Sequence, residues 1–170
     1  MKRRSFLWLL LLAGCGGDDP LTQTVVTVNV DPALLGMSPE IEVMIRSGGQ
    51  LRNEDRRCLG DGDGCLGVPF QLVLAPGNGS VRRPWELRLS LIAAENVLVN
   101  RRLLGTHLAG QTRRVAIQLE ASCVGQTCSE VETCAAGACV SPCLDPPCGE
   151  LVADAQGAGG QQNKDKNRGT

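Results

Sequence analysis

The sequence predicts an all-β protein: an antiparallel β-sandwich of about seven strands, followed by a small disulfide-rich module. Between Thr22 and Glu120, apolar and polar residues alternate repeatedly with a period of two, which is typical of strands that bury one face. From Ser122 to Gly149 the pattern changes, because this stretch carries six cysteines and almost no large apolar residues. The strand number, within roughly a hundred residues, is that of an Ig-like sandwich.

Each predicted strand has an apolar face made of alternate residues, and turn-forming residues such as Asp31-Pro32 and Gly48-Gly49 separate the strands. A weaker strand is expected around residues 51–57, and VLVNRRLL is expected to pair with the Trp85 strand through a turn at Ala94 to Asn96. No segment has a convincing helical period. The residues predicted to face the core are Val26, Val28, Val30, Ile41, Val43, Ile45, Phe70, Leu72, Leu74, Trp85, Leu87, Leu89, Leu91, Val115, Ile117 and Leu119.

One residue fits this pattern badly. A hairpin turning about Glu95 places Arg101 opposite Leu89, on the predicted core face. Two explanations stay open at this point. Arg101 could lie at an open edge with its stem on the core and its head group in water. Alternatively, the register could be wrong by one residue, which would invert every side chain.

The chain has nine cysteines, and eight of them follow the first twenty residues. Cys58 and Cys65 enclose LGDGDG, so a local disulfide is expected there. Disulfides are also expected to order the later segment, whose pairing the sequence does not fix. Zinc is disfavoured, because that segment has no histidine and no C-x-x-C pair. The later cysteines are Cys123, Cys128, Cys134, Cys139, Cys143 and Cys148.

The first residues are typical of a secretion signal. Three basic residues precede the apolar stretch 6–12, which is too short to cross a membrane as a helix. The segment LAGC, ending at Cys15, resembles the lipobox of bacterial lipoproteins. In that family the cysteine thiol receives a diacylglyceryl group and a signal peptidase cuts directly before it. A lipid on Cys15 would leave an even number of cysteines for disulfides, whereas the alternative is a plain signal peptide with a free cysteine.

Two further resemblances concern location. Gly16, where aspartate would signal retention by the sorting rule of enteric bacteria, favours the outer membrane of a Gram-negative bacterium. The segment TCSEVETCAAGACV resembles cysteine-rich, EGF-like repeats of uncharacterised envelope lipoproteins of myxobacterial type, and AGQTRRVAIQLEASC is similar to the passage that closes their preceding domain. This resemblance covers residues 69–140 and implies no established activity.

The expected organisation has five parts. Residues 1–14 form the lipoprotein signal peptide, 15–21 a lipidated tether, 22–121 the β-sandwich domain, 122–149 the cysteine-rich module and 150–170 a disordered tail rich in glycine, glutamine and charge.

Composition excludes some functions. The 17 basic and 18 acidic residues nearly balance, and the chain has two tryptophans, two phenylalanines and no tyrosine, so a nucleic-acid binder is not expected. No enzyme and no cofactor are expected either, because no G-x-S-x-G surrounds any serine and His107, the only histidine, is expected to be a solvated loop residue. Asp61 and Asp63 are weak calcium candidates, since their loop lacks the EF-hand frame.

Four arginine doublets remain to be placed. The simplest interpretation is that these arginines are solvated at strand ends and protect the edges of the sheets from pairing with other chains. Alternatively, Arg82, Arg83, Arg113 and Arg114 are candidate contacts for an anionic partner such as a phosphate-bearing lipid or an acidic protein. The expected function is a lipid-anchored cell-envelope lipoprotein with a non-enzymatic binding, adhesion or scaffold role, attached to the membrane through Cys15 and contacting an envelope protein. The alternative is a small-ligand or calcium-binding accessory lipoprotein of a transport or envelope complex.

Overall fold

The computed structural model describes residues 21–37, 39–76 and 84–144. One helical turn, α1 (Pro32–Leu35), follows the first strand, and a 3₁₀ turn, Ala121–Cys123, follows the seventh. Asp31 caps α1 by accepting a hydrogen bond from the backbone nitrogen of Ala33. The elements are β1 (Gln23–Val30), α1 (Pro32–Leu35), β2 (Glu40–Ser47), β3 (Gln50–Cys58), β4 (Phe70–Leu74), β5 (Trp85–Ala93), β6 (Asn96–Gly105), β7 (Thr112–Leu119), β8 (Thr133–Ala135) and β9 (Ala138–Val140).

Seven strands form two sheets around one core, which confirms the predicted all-β sandwich. One sheet has the order β4-β1-β7 and the other the order β3-β2-β5-β6, while β8 and β9 form a separate hairpin. The described pairs are antiparallel except β1 and β7, which run parallel from Gln23↔Thr112 to Val30↔Leu119. Both strands of this parallel pair therefore begin at the same end of the sandwich.

The predicted inward faces form the core. Val26, Val28, Ile41, Leu87 and Leu89 are fully buried at 0% exposure. Burying one such side chain contributes about 1.5–3 kcal/mol. By contrast, β3 is exposed along almost its whole length, which agrees with the weak strand pattern of its polar sequence.

The strand directions give the sandwich two ends. At one end, which we name the tether end after the expected tether, β1 begins at Gln23, β2 turns into β3 at Gly48 and Gly49, and residues 106–111 join β6 to β7. At the far end lie the β5–β6 turn, the loop closed by Cys58 and Cys65, and the 3₁₀ turn. The turn residue Glu95 has a left-handed backbone, with φ of 65°.

The cysteine-rich segment packs along β6, the edge strand of the four-stranded sheet. The backbone nitrogen of Arg102 donates to Thr133 Oγ1 at 2.8 Å. Leu104 donates to the carbonyl oxygen of Pro142 at 2.9 Å and accepts from the nitrogen of Leu144 at 3.0 Å. Backbone groups that an open edge would expose are therefore bonded within the chain.

Disulfides link the described cysteines. Cys58 is bonded to Cys65, the local pairing expected from the sequence. In the later segment, the structure supplies two pairings that the sequence left open, Cys123–Cys134 and Cys128–Cys139. Cys123 and Cys134 are buried at 3% and 4% exposure and belong to the sandwich core. Cys143 is disulfide-bonded as well, whereas Cys15 and Cys148 lie outside the described residues.

Candidate functional site

Arg101 shows how the cysteine-rich segment is held against the sandwich. Its register opposite Leu89 is the predicted one. The guanidinium is half-buried, and its Nη1 donates a hydrogen bond to the carbonyl oxygen of Cys134. Both expected explanations are therefore wrong: the register is correct, and the head group contacts protein. Burial lowers the pKa of Arg101, and the nearby Glu120 carboxylate opposes that shift.

Arg113 makes a similar contact from the neighbouring sheet. It lies on the inward side of β7, in register with the buried Thr24 of β1. Its Nη2 donates to the carbonyl oxygen of Leu144 at 3.3 Å. Arginines on the inward sides of two edge strands thus bind backbone carbonyls of the cysteine-rich segment.

A buried ion cluster lies on the opposite face of the four-stranded sheet. Glu86 Oε1 accepts from Arg88 Nε at 2.5 Å and from Arg102 Nε at 2.8 Å. Glu86 and Arg102 are only 5% and 7% exposed. Burial alone would raise the pKa of Glu86, but the two arginines outweigh it and hold that pKa below its ordinary value of 4.5. Arg102 Nη1 also donates to the carbonyl oxygen of Glu130, so the cluster ties sheet and segment together.

This cluster forms part of a cleft between β6 and the cysteine-rich segment. The cleft has a volume of about 510 Å³, within the range of small-molecule sites. Its lining includes Arg88, Arg102 and Asn100 from the sheet, with Ser129 and Glu132 from the segment. Residues with guanidinium, amide, hydroxyl and carboxylate groups therefore line one cavity, a composition that suits a small polar ligand with several hydrogen-bonding groups.

Among the sequence-predicted site residues, the cysteines Cys128 and Cys134 line this cleft. Cys15, Arg82 and Arg83 lie outside the described residues. Arg114 is exposed on the outer face of the three-stranded sheet, and Arg113 binds Leu144 as described.

The calcium candidates occupy the loop closed by the first disulfide. Asp61 and Asp63 are exposed there. Within residues 21–37, 39–76 and 84–144, no three His, Cys, Asp or Glu side chains are grouped as metal ligands.

His107 is buried, so the expectation of a solvated loop histidine is wrong. The residue is 8% exposed, and its ring centroid lies 6.3 Å from that of Trp85. His107 lies in the loop between β6 and β7, beside Trp85. Nδ1 has no hydrogen-bond partner among the described residues, and burial lowers the pKa of His107.

Sequence reasoning missed the Glu86 cluster because outward residues of a strand were assigned to solvent. One signal could have revealed it. Arg88 and Arg102 are direct cross-strand partners in the predicted hairpin, and like charges in that position repel each other. A carboxylate two residues away on the same face, Glu86, is what makes this pairing favourable.

No protein-family model, curated protein or solved structure matches this chain. In the part of the chain that the structure describes, no helix has the length and apolar character needed to cross a membrane.

Proposed function

We propose that the protein is a lipid-anchored lipoprotein of the cell envelope, in the outer membrane of a Gram-negative bacterium, with a non-enzymatic binding or scaffold role. The observation that supports it best is the position of β1. The strand begins at Gln23, only a few residues after the lipobox cysteine Cys15, and enters the sandwich at one end. An acyl chain adds about 0.8 kcal/mol of membrane binding per buried methylene, so several chains would anchor the domain firmly.

The disulfides agree with this location. Three bonds are formed among the described cysteines, and such bonds persist in exported proteins rather than in a reducing cytosol. Two of them close loops within the cysteine-rich segment, and hydrogen bonds from Arg101 and Arg102 hold that segment against the sandwich.

Intact mass of protein purified from native membranes tests the anchor. We expect a chain that begins at Cys15 and carries added acyl mass, and a Cys15→Ser variant that is not lipidated and leaves the membrane fraction. The remaining cysteines should react with an alkylating agent only after reduction. A chain without acyl mass, or with free thiols before reduction, would refute the proposal.

The binding role needs a separate measurement. Cross-linking in intact cells, followed by purification of the lipidated protein, should recover a defined envelope protein. The Cys15→Ser variant, released from the membrane, is the matched control and should lose that partner.

The cleft supports a second candidate, a small-ligand accessory lipoprotein. Titration with glycine, acetate and phosphate, followed by nuclear magnetic resonance, tests whether the cleft takes polar ligands. Shifts should concentrate at Arg88 and Asn100 and should be lost in Arg88→Met, but not in the exposed control Arg114→Met. Shifts spread evenly over the surface would exclude this role.

A further inference from the structure

Three leucines are exposed at the tether end of the sandwich, whereas the exposed apolar residues described at the far end are Met37, Val97 and Val124. Leu21, directly before β1, is 69% exposed. Leu51, at the start of β3, is 50% exposed, and Leu108, in the β6–β7 loop, is 42% exposed. The pairs Ser47↔Gln50, Ser47↔Trp85 and Trp85↔Gly105 place the turns that carry Leu51 and Leu108 at one end of the sheet. These leucines therefore come from three separate chain segments.

Charge is divided between the two ends. The described residues of the tether end are 21–24, 45–52, 74–76, 84–86, 103–113 and 142–144, and among them the only carboxylate is Glu86, which is buried and paired with arginines. The same end carries the exposed Arg52 and the half-buried Arg46. By contrast, the far end carries the carboxylates Asp31, Glu40, Asp61, Asp63 and Glu95, of which Glu40 and Glu95 share a salt bridge with Arg56.

We infer that the tether end lies against an anionic phospholipid surface and that the far end points away from it. Leucines can enter the interfacial region of a bilayer, while arginines are attracted to anionic headgroups. The carboxylates, which such a surface would repel, lie at the far end. This inference rests on the proposed function for its anchor, but the surface that it names is built from described residues of the folded domain.

The length of the chain before β1 agrees with this orientation. Residues 15–20 span at most about 3.3–3.6 Å each when extended, or roughly 20 Å in all. A lipid on Cys15 would therefore keep Leu21 and the tether end within a short distance of the headgroups, whereas the far end lies a full strand length away.

Tryptophan probes at the two ends test the orientation. Leu108→Trp and Leu51→Trp each add an exposed indole at the tether end, and Val97→Trp, at a position 56% exposed beside the β5–β6 turn, is the matched far-end control. Trp85, at 2% exposure, gives the same background in all three. The lipidated proteins are reconstituted into phosphatidylcholine vesicles with or without phosphatidylglycerol, containing lipids with brominated acyl chains, which quench nearby indoles.

Both tether-end probes should be quenched several-fold more strongly than Val97→Trp, and the difference should grow with phosphatidylglycerol. Equal quenching at both ends, or stronger quenching of Val97→Trp, would overturn the inference. If the chain proves not to be lipidated, the proposed anchor fails separately. The same comparison is then made with a chain that begins at Gly16 and is held through an amino-terminal hexahistidine on nickel-chelating lipid, with the same two outcomes.

Discussion

Glu86 Oε1 and Arg102 Nε lie 2.8 Å apart, and both side chains are buried where the cysteine-rich segment covers the sheet. The carboxylate also accepts from Arg88, so one negative charge serves two arginines. These charged side chains are therefore buried on the outward face of the sheet, where strand residues are ordinarily in contact with water. Removing the shared carboxylate would leave a buried guanidinium without its counter-charge.

Glu86→Gln should therefore lower the free energy of unfolding by about 3 kcal/mol at pH 7. Because the folded-state pKa of Glu86 lies below its ordinary value of 4.5, its stabilisation is present above that value and is lost as the pH falls through the folded pKa. The difference between wild type and variant should thus shrink as the pH falls below 4.5. Urea unfolding at pH 7 and pH 3 measures it. Glu95→Gln, at an exposed turn position, is the control, and a difference that does not vary with pH would contradict the prediction.

Arg101→Met should weaken the attachment of the cysteine-rich segment. Methionine keeps an apolar stem on the core side but cannot donate to the carbonyl oxygen of Cys134, so we expect a loss of about 1.5–3 kcal/mol, as for hydrogen bonds from charged donors. Hydrogen exchange of the β8 amides should also become faster. Arg114→Met, which changes an exposed arginine, should alter neither quantity. Unchanged β8 exchange in Arg101→Met would show that the contact does not hold the segment.

Removing the buried disulfide should uncover the edge of β6. Replacing Cys123 and Cys134 together by alanine should cost about 3 kcal/mol from loop entropy alone. Hydrogen exchange at the amides of Arg102 and Leu104, which donate to the cysteine-rich segment, should accelerate. Removing the Cys58–Cys65 bond instead should leave these two amides protected, because that loop lies at the far end. Equal effects from the two double variants would contradict this prediction.

His107 should make the sandwich sensitive to mild acid. Because burial lowers its folded-state pKa, the unfolded chain takes up a proton first, and stability should fall as the pH drops below about 6.5 towards the folded value. His107→Gln cannot titrate, so its unfolding free energy should change less between pH 7.5 and pH 5.5. Thermal unfolding at the two pH values measures the effect. Identical pH dependence in wild type and variant would exclude His107 as its source.

Local patterns were enough to predict the sandwich. Apolar and polar residues alternate so regularly from Trp85 to Leu91 that the sequence predicts which face points inward. The predicted register of Leu89 opposite Arg101 is correct because a short turn fixes the register of a hairpin. The parallel pairing of β1 with β7 could not be predicted in this way, because it joins strands that are distant in sequence and share no turn.

The candidate site was harder to predict for the same reason. The cleft exists only because the cysteine-rich segment folds back along β6, and the contacts that direct it there involve polar groups such as Arg102 and Thr133. The alternation of apolar and polar residues predicts which face of a sheet is apolar, but it does not predict which segment packs on the polar face. The disulfide partners of Cys123 and Cys128 likewise depend on that folding back.

The position of β1 also bears on mechanical strength. It is the middle strand of its sheet, bonded to β4 on one side and over its full eight residues to the parallel β7 on the other. A force applied at residue 21 and opposed at the end of β7 would pull neighbouring parallel strands in opposite directions along their length. The backbone hydrogen bonds between β1 and β7 would then be loaded together in shear, rather than broken one after another. The position of β1 therefore suits a domain that is pulled by the chain that precedes it.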